Sequence, residues 1–213
     1  MKKWGYLRET KEDALKAGMD KKYNIGRTGL EEYLKVIFPD VDDWVHDKTT
    51  GIILDGKKYQ GRPDYRSEKL KMIVEFDGLP HYKNPDVISN DELKNIIYSE
   101  FGYKVVRIPY FIQLTNEVVE KLFNVKVKEK LFDVNIPSLS IKSRNTPAYL
   151  CPMGIRRMAL DFSQISMKQY EINIDALIEE AKDEEELKLF TGINLLANEM
   201  IIAEDILSEE NLD

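Results

Sequence analysis

The chain has 213 residues, 43% of them hydrophobic and 32% charged, which is typical of a globular protein with a buried core. It has no run of about 20 apolar residues and no apolar leader at its start, so we expect a soluble, cytoplasmic protein without a membrane partner. The formal net charge of −7 excludes bulk electrostatic coating of nucleic acid, and the single cysteine excludes an internal disulfide.

Two helices are predicted near the start of the chain. The charged segment from Lys2 to Tyr23 contains a short helix that ends near Gly18. A second helix follows Thr28-Gly29 and stops at Pro39-Asp40, because apolar residues recur there at helical spacing: Leu30, Tyr33, Leu34, Ile37 and Phe38. Its first turn carries Glu31 and Glu32, which complement the helix dipole.

Short strands follow a polar connection that runs from residue 40 to residue 50. Alternating and compact apolar runs predict strands at 51–54, 59–65 and 70–76, with a turn at Asp55-Gly56 and a hairpin through 66–69. The connection holds His46, which has no carboxylate or cysteine at ligand spacing, so we interpret it as an ordinary surface or core histidine.

Three carboxylates are expected to meet around the third of these strands. Side chains alternate along a strand, so Glu75 and Asp77 share one face while Val74 and Phe76 share the other. The hairpin brings Asp64 back beside Glu75. Like charges this close repel unless a proton or a cation intervenes, and Mg²⁺ is a cation that one or two carboxylates can hold. Taken singly, each carboxylate is equally compatible with a solvated strand end or an Asp-Gly turn.

A helix and a further strand complete the predicted core. The helix covers 91–101, with Leu93, Ile96, Ile97 and Phe101 facing inward, and we interpret Lys94 as a solvent-facing lysine. The strand covers 104–108, and its Arg107 either pairs with a carboxylate or contacts phosphate. A strand, a helix and a strand in this order predict a parallel crossover, hence an α/β fold with a mixed central sheet flanked by helices.

The C-terminal half divides by composition. A helix is predicted at 118–123, and prolines and serines mark residues 134–147 as a linker. Helical patterns follow at 154–162, 170–181 and 185–207. We therefore expect a core at 1–133, a linker at 134–147 and a helical appendage at 148–213. The appendage either contacts DNA through Arg156 and Arg157 or forms a homodimer interface.

The order of these motifs resembles a known family. Pro63-Asp64, then Glu75-x-Asp77 eleven residues on from Asp64, then His81, is similar to the active-site signature of the PD-(D/E)XK nuclease superfamily. The run from Glu75 to His81, with Asp91 and the strand at Gly102–Ile108, resembles the branch around the very-short-patch-repair endonucleases. The resemblance covers roughly residues 28 to 112 and implies a restriction-endonuclease-like core with a C-terminal helical extension.

The resemblance implies a Mg²⁺-dependent endodeoxyribonuclease of the restriction, repair or homing type, with Mn²⁺ as a substitute metal. Asp64, Glu75 and Asp77 would hold the metal, His81 would transfer a proton, and Glu31 would stand near the metal as helix glutamates do in this superfamily. Cations near the site would contact DNA, with RNA left open as a substrate: Arg62, Lys69, Lys71 and Lys83.

Two departures from the family pattern keep an alternative open. Asp77 occupies the position of the superfamily's lysine, and the structural zinc site of the repair enzymes cannot be assembled from Cys151, His46 and His81 alone. The alternative is a catalytically inactive, nuclease-like module that binds nucleic acid or another protein.

Overall fold

The computed structural model describes residues 3–139 and 146–194. They form two compact units, each assembled from separated stretches of the chain. Among the described residues, the first unit comprises 3–78, 89–110 and 114–132, and the second comprises 79–88, 111–113, 133–139 and 146–194. No helix within the described ranges is long and apolar enough to cross a membrane.

The secondary structure alternates between short strands and helices. In chain order the elements are β1 (Tyr6–Arg8), α1 (Lys11–Ala17), β2 (Arg27–Gly29), α2 (Leu30–Ile37), β3 (Val45–His46), β4 (Ile53–Leu54), β5 (Lys57–Lys58), β6 (Tyr65–Ser67), β7 (Met72–Asp77), α3 (Pro80–Lys83), α4 (Pro85–Glu100), β8 (Lys104–Pro109), α5 (Asn116–Phe123), a 3₁₀ turn (Pro147–Tyr149), α6 (Pro152–Ile165) and α7 (Met167–Glu180). Residues 184–194 are also helical.

The first unit is built on a mixed four-stranded sheet with the order β3-β6-β7-β8. Strand β7 pairs antiparallel with β6 and parallel with β8, so the α/β class, the mixed sheet and the parallel crossover predicted from the sequence are confirmed. The hairpin at Asp55-Gly56 is confirmed as well, since both residues adopt the positive φ that such a turn requires.

Some predicted boundaries were wrong. Residues 59–64 are not a strand, and β6 begins only at Tyr65. Helix α4 begins at Pro85, six residues before the predicted start at residue 91. Of the residues expected to face inward on it, Ile97 is buried while Leu93, Ile96 and Phe101 are exposed. The buried side of this helix carries Asp91 and Tyr98 beside Ile88 and Ile97, and the carboxylate of Asp91 lies 3.3 Å from Arg107.

Apolar packing fixes the position of β7 in the first unit. One cluster joins Ile73 of β7 to Ile97 and Tyr98 of α4, with Ile52 and Tyr103 at its edges. Because side chains alternate, Glu75 and Asp77 lie on the same face of β7 as Ile73, further along the strand. Glu75 and Asp77 therefore lie on the same face of β7 as the apolar cluster, nearer to the C-terminal end of the strand.

The second unit is helical and is held together by buried polar side chains. Asn173 of α7 is fully buried and accepts from the backbone N–H groups of Ser138 and Leu139 while donating to the carbonyl of Phe111. Gln169 makes a similar pair of bonds to the backbone N–H and C=O of Gln113. Residues 134–139 of the predicted linker thus belong to this unit, and residues 140–145 lie outside the described residues.

Candidate metal and phosphodiesterase site

Asp64 and Glu75 lie side by side at the end of the β6–β7 hairpin. The backbone N–H of Asp64 donates to Glu75 Oε2 at 3.1 Å, and Asp64 Oδ2 accepts from the backbone N–H of Phe76 at 2.6 Å. The antiparallel register, in which Tyr65 faces Val74, places these two residues opposite one another. The structure therefore brings together the two carboxylates that the hairpin was predicted to join.

Burial raises the pKa of both carboxyl groups, and the charge of Glu75 acts on Asp64 as well. Desolvation, followed by the charge of Glu75, raises the pKa of Asp64 to about 7. Desolvation also raises the pKa of Glu75, against the opposing effects of the Asp64 N–H bond and the charges of Arg107 and Lys94. The pair is therefore reluctant to carry two negative charges without a cation.

One oxygen of this pair has unused bonding capacity. Glu75 is 5% exposed, and its Oε1 is buried with no hydrogen-bond partner among the residues that the structure describes. A buried carboxylate oxygen left in this state costs free energy unless a proton or a cation occupies it. Oxygen donors of this kind suit Mg²⁺ or another hard divalent ion, so the pair fits the implied metal.

Asp77 has a different environment from the other two carboxylates. It is 1% exposed, and its Oδ1 lies 2.6 Å from Nη1 of Arg107. The same guanidinium nitrogen lies 3.3 Å from Oδ1 of Asp91, and Arg107 Nε donates to Asn95. Arg107 therefore pairs with a carboxylate, the first of the two roles foreseen for it, and it balances the charge of two buried acids.

Lys94 acts electrostatically on the site. It is half-buried on α4, and its positive charge lowers the pKa of Glu75 against the dominant effect of burial. Lys94 follows the buried Asp91 by three residues, a spacing that lets the two share one side of the helix.

Glu31 is held by two hydrogen bonds on the other side of the hairpin. Its Oε2 accepts from the Tyr65 hydroxyl at 3.1 Å and its Oε1 accepts from the backbone N–H of Lys11 at 2.6 Å. Tyr65 pairs with Val74, so its side chain lies on the sheet face opposite Glu75. Glu31 is therefore anchored beside Tyr65, with its metal-related role remaining a prediction.

Sequence reasoning missed a residue next to this site, Glu9. Its negative charge contributes to the raised pKa of Asp64, after burial and Glu75, and its Oε1 lies 3.1 Å from Nε2 of His46. His46 is exposed, in keeping with its interpretation as an ordinary surface histidine, and its carboxylate partner lies outside ligand spacing in the sequence. The two residues are 37 positions apart, and no short-range spacing could have indicated the pair.

The residues predicted to contact DNA are mostly paired with carboxylates. Arg62 Nη2 lies 2.5 Å from Asp47, Lys69 pairs with Asp42, and Lys71 lies 2.8 Å from Glu68. All three cations are exposed, so these pairs are weak and can exchange for phosphate. Lys83 is exposed at the end of α3, in the second unit.

His81 also belongs to the second unit. It lies in the single turn of α3, where its backbone carbonyl accepts from Nη1 of Arg157 at 3.1 Å. Arg157 thus has a structural contact within its own unit. The proton-transfer role of His81 stays a prediction.

Comparison of the chain with protein-family models, with curated proteins and with solved structures finds no match in any of the three. The residues and their geometry therefore carry the functional argument.

Proposed function

We propose that the protein is a metal-dependent DNA endonuclease with a restriction-endonuclease-like core, whose metal is held by Asp64 and Glu75. The observation that carries this proposal is the buried Oε1 of Glu75, which has no hydrogen-bond partner in the described part of the chain and lies beside an Asp64 whose pKa is raised to about 7. Two buried, ionised carboxylates destabilise the fold when no cation lies between them. A bound cation would offset this cost and so explain why the pair is there.

The residues of the site have different roles in this proposal. Asp64 and Glu75 would hold Mg²⁺, which supplies a Lewis acid and a bound water of lowered pKa when present. Lys94 favours the ionised form of Glu75 that metal binding needs. Asp77 is occupied by Arg107, so we assign it to orienting Arg107 and the end of β7 ahead of direct metal binding.

The test is a calorimetric Mg²⁺ titration and a plasmid cleavage assay on the same purified variants. Asp64→Asn and Glu75→Gln should each abolish metal binding and cleavage, because each removes a ligand charge. Glu100→Gln, an exposed glutamate at the end of α4, is the matched control and should behave as wild type. Full cleavage by Asp64→Asn would refute the site. A wild-type protein that binds neither metal nor DNA would instead favour a protein-interaction module.

His81 is tested separately, because its role derives from the resemblance. His81→Ala should retain Mg²⁺ binding while the cleavage rate falls by about 10²–10⁴-fold if the imidazole is a general acid or base. An unchanged rate would remove the histidine from the mechanism and leave the metal site intact.

A further inference from the structure

The two-stranded parallel sheet of the first unit carries an arginine on each strand. In the register of β1 and β2, Tyr6 lies beside Arg27. Side chains alternate along each strand, so Arg8 and Arg27 share one face with Tyr6, while Leu7 and Thr28 on the other face are buried. Burial lowers the pKa of Arg8, and the charge of Arg27 lowers it further. The two guanidinium groups therefore repel each other on this face.

The guanidinium of Arg27 is held in place by neutral groups. Its Nη1 donates to the carbonyl of Gly18 at 3.3 Å, and its Cζ lies 5.0 Å from the centroid of the Tyr6 ring. Its Nε is buried and has no hydrogen-bond partner among the residues that the structure describes. Carbonyl groups and an aromatic ring orient a cation without neutralising it. An anion on this face would supply the missing charge.

The side chain of Arg8 is half-buried, and it forms no ion pair with any residue in the described ranges. The charge of Asp13 acts on it, but the Asp13 carboxylate accepts a hydrogen bond from the Thr10 hydroxyl at 2.7 Å. A cation that is partly removed from water without a bonded anion costs free energy. An anionic ligand held by both arginines would offset this cost.

The segment around this face is basic although the chain as a whole is acidic. Residues 3–29 contain seven lysines and arginines against four aspartates and glutamates, whereas the formal net charge of the chain is −7. Lys21 is exposed in the loop before β2, and the ammonium of Lys3 donates to the carbonyls of Tyr23 and Asn24 in the same loop. A local excess of cations is typical of a surface that contacts nucleic acid.

Strand β1 is anchored to the hairpin that carries the proposed metal ligands. Glu9 directly follows Arg8, and its backbone carbonyl accepts a hydrogen bond from the Tyr65 hydroxyl at 3.0 Å. Tyr65 directly follows Asp64, and the charge of Glu9 contributes to the raised pKa of Asp64. The arginines and the proposed ligands therefore belong to elements that contact each other within one unit.

We propose that Arg8 and Arg27 together bind one phosphodiester group of the DNA backbone. Planar guanidinium groups match the geometry of phosphate oxygens, and such contacts position a duplex without reading its sequence. The inference rests on the proposed nuclease function and adds a backbone contact to it. The cations predicted from the sequence differ from this pair, since Arg62, Lys69 and Lys71 each pair with a carboxylate.

The test is the salt dependence of DNA binding, measured by fluorescence anisotropy in chelator so that the duplex stays intact. The logarithm of the binding constant falls with the logarithm of the salt concentration, with a slope of about −0.9 for each neutralised phosphate. The double variant Arg8→Met/Arg27→Met should bind duplexes of any sequence more weakly. Its slope should be smaller by about 1, and not by about 2, because both arginines act on one phosphate.

Two controls separate charge from folding. Arg8→Lys/Arg27→Lys keeps both charges and should retain the wild-type slope, as should Lys126→Met, which removes a cation that is 82% exposed elsewhere in the first unit. Without DNA, Arg8→Met should melt no lower than wild type, because it removes one of two like charges. A lower melting temperature would identify Arg8 as a structural residue and overturn the proposal.

The remaining outcomes distinguish the ligand and the two proposals. A wild-type slope in the double Met variant would overturn the phosphate contact. With that slope unchanged, stabilisation of the wild type by inorganic phosphate would identify a site for the free ion, and arginine-dependent binding of polyglutamate would identify an acidic protein partner. Plasmid cleavage with Mg²⁺ together with an unchanged slope would defeat the phosphate contact alone. A reduced slope in the double variant, with no cleavage by wild type, would defeat only the nuclease proposal.

Discussion

At the scale of single residues, the contrast between Glu75 and Asp77 decides the chemistry of the site. Both lie on one face of β7 and both are buried. Asp77 is balanced by Arg107, whereas Oε1 of Glu75 has no partner among the described residues. The two carboxylates lie on the same face of β7, yet their environments differ, because Asp77 faces a guanidinium and Glu75 faces Asp64.

The first prediction follows from the sign of the Asp64 pKa shift. The folded pKa of about 7 lies above the ordinary value of 3.8, so the folded protein binds the proton more tightly. Without metal, this contribution to stability is present below about pH 4 and is lost as pH rises through 7. Asp64→Asn should therefore melt above wild type at pH 8 but not at pH 4.

The measurement is thermal unfolding in chelator at both pH values. The gain at pH 8 should be on the order of 1–3 kcal/mol, given that each pKa unit corresponds to about 1.4 kcal/mol and that relaxation reduces the full effect. An Asp64→Asn protein that melts below wild type at pH 8 would identify the carboxylate as a structural partner.

The second prediction concerns Arg107. Arg107→Met deprives two buried carboxylates of their shared guanidinium and should lower the free energy of unfolding by about 3–5 kcal/mol. Arg62→Met, which breaks an ion pair whose side chains are 56% and 51% exposed, is the matched control and should cost less than about 1 kcal/mol. Urea unfolding at pH 7 measures the free energy of unfolding of both variants. Equal losses of stability would contradict the role of Arg107 as the shared partner of two buried carboxylates.

At the scale of elements, the buried side of α4 carries polar as well as apolar residues, and two large apolar residues lie on its exposed side. Asp91 and Tyr98 are buried, while Leu93 and Ile96 are 53% and 57% exposed. The hydrophobic pattern alone predicted Leu93 and Ile96 on the inward side, because it carries no information about the partly buried Arg107 of β8, which pairs with Asp91. The ion pair between Asp91 of α4 and Arg107 of β8 thus outweighs apolar periodicity in this helix.

The third prediction tests this orientation of α4. Leu93→Ser and Ile96→Ser should change the free energy of unfolding by no more than about 0.5–1 kcal/mol, since both side chains are already in water. Ile97→Ala should cost about 2–4 kcal/mol, because Ile97 packs with Ile73 and Tyr98. Chemical denaturation measures the free energy of unfolding of the three variants. A large loss of stability in Leu93→Ser would show that Leu93 faces the core.

At the scale of the whole molecule, the chain forms two units that do not follow its linear order. Residues 79–88 and 111–113 belong with the helical C-terminal part, although they flank elements of the sheet. Tyr82 of α3 illustrates the reason, since its hydroxyl donates to Asp161 of α6 and its carbonyl lies where Gly154 leaves room.

The fourth prediction uses that close approach. A Cβ at Gly154 would lie 1.3 Å from the Tyr82 carbonyl oxygen, so Gly154→Ala should lower stability by roughly 1–3 kcal/mol or more. Gly192→Ala is the matched control, because its Cβ meets nothing within 4 Å and alanine favours helix by about 0.5–1 kcal/mol. Hydrogen exchange of α6 and α7 amides should rise in the first variant only.

The sequence by itself determined the features that depend on local spacing. Period-two alternation placed Glu75 and Asp77 on one face, the Asp55-Gly56 turn set the hairpin of β4 and β5, and helical periodicity gave α2 its buried residues. The parallel pairing of β7 with β8 also followed, since a strand, a helix and a strand have one favoured arrangement.

Only the tertiary structure decided which side chains meet across the fold. Arg107 and Asp77 are 30 residues apart, and Glu9 and His46 are 37 apart. Local patterns encode which face a residue occupies, but a contact between distant segments depends on how those faces pack. That packing pairs Asp77 with Arg107, leaves Glu75 Oε1 without a hydrogen-bond partner among the described residues and turns Leu93 outward.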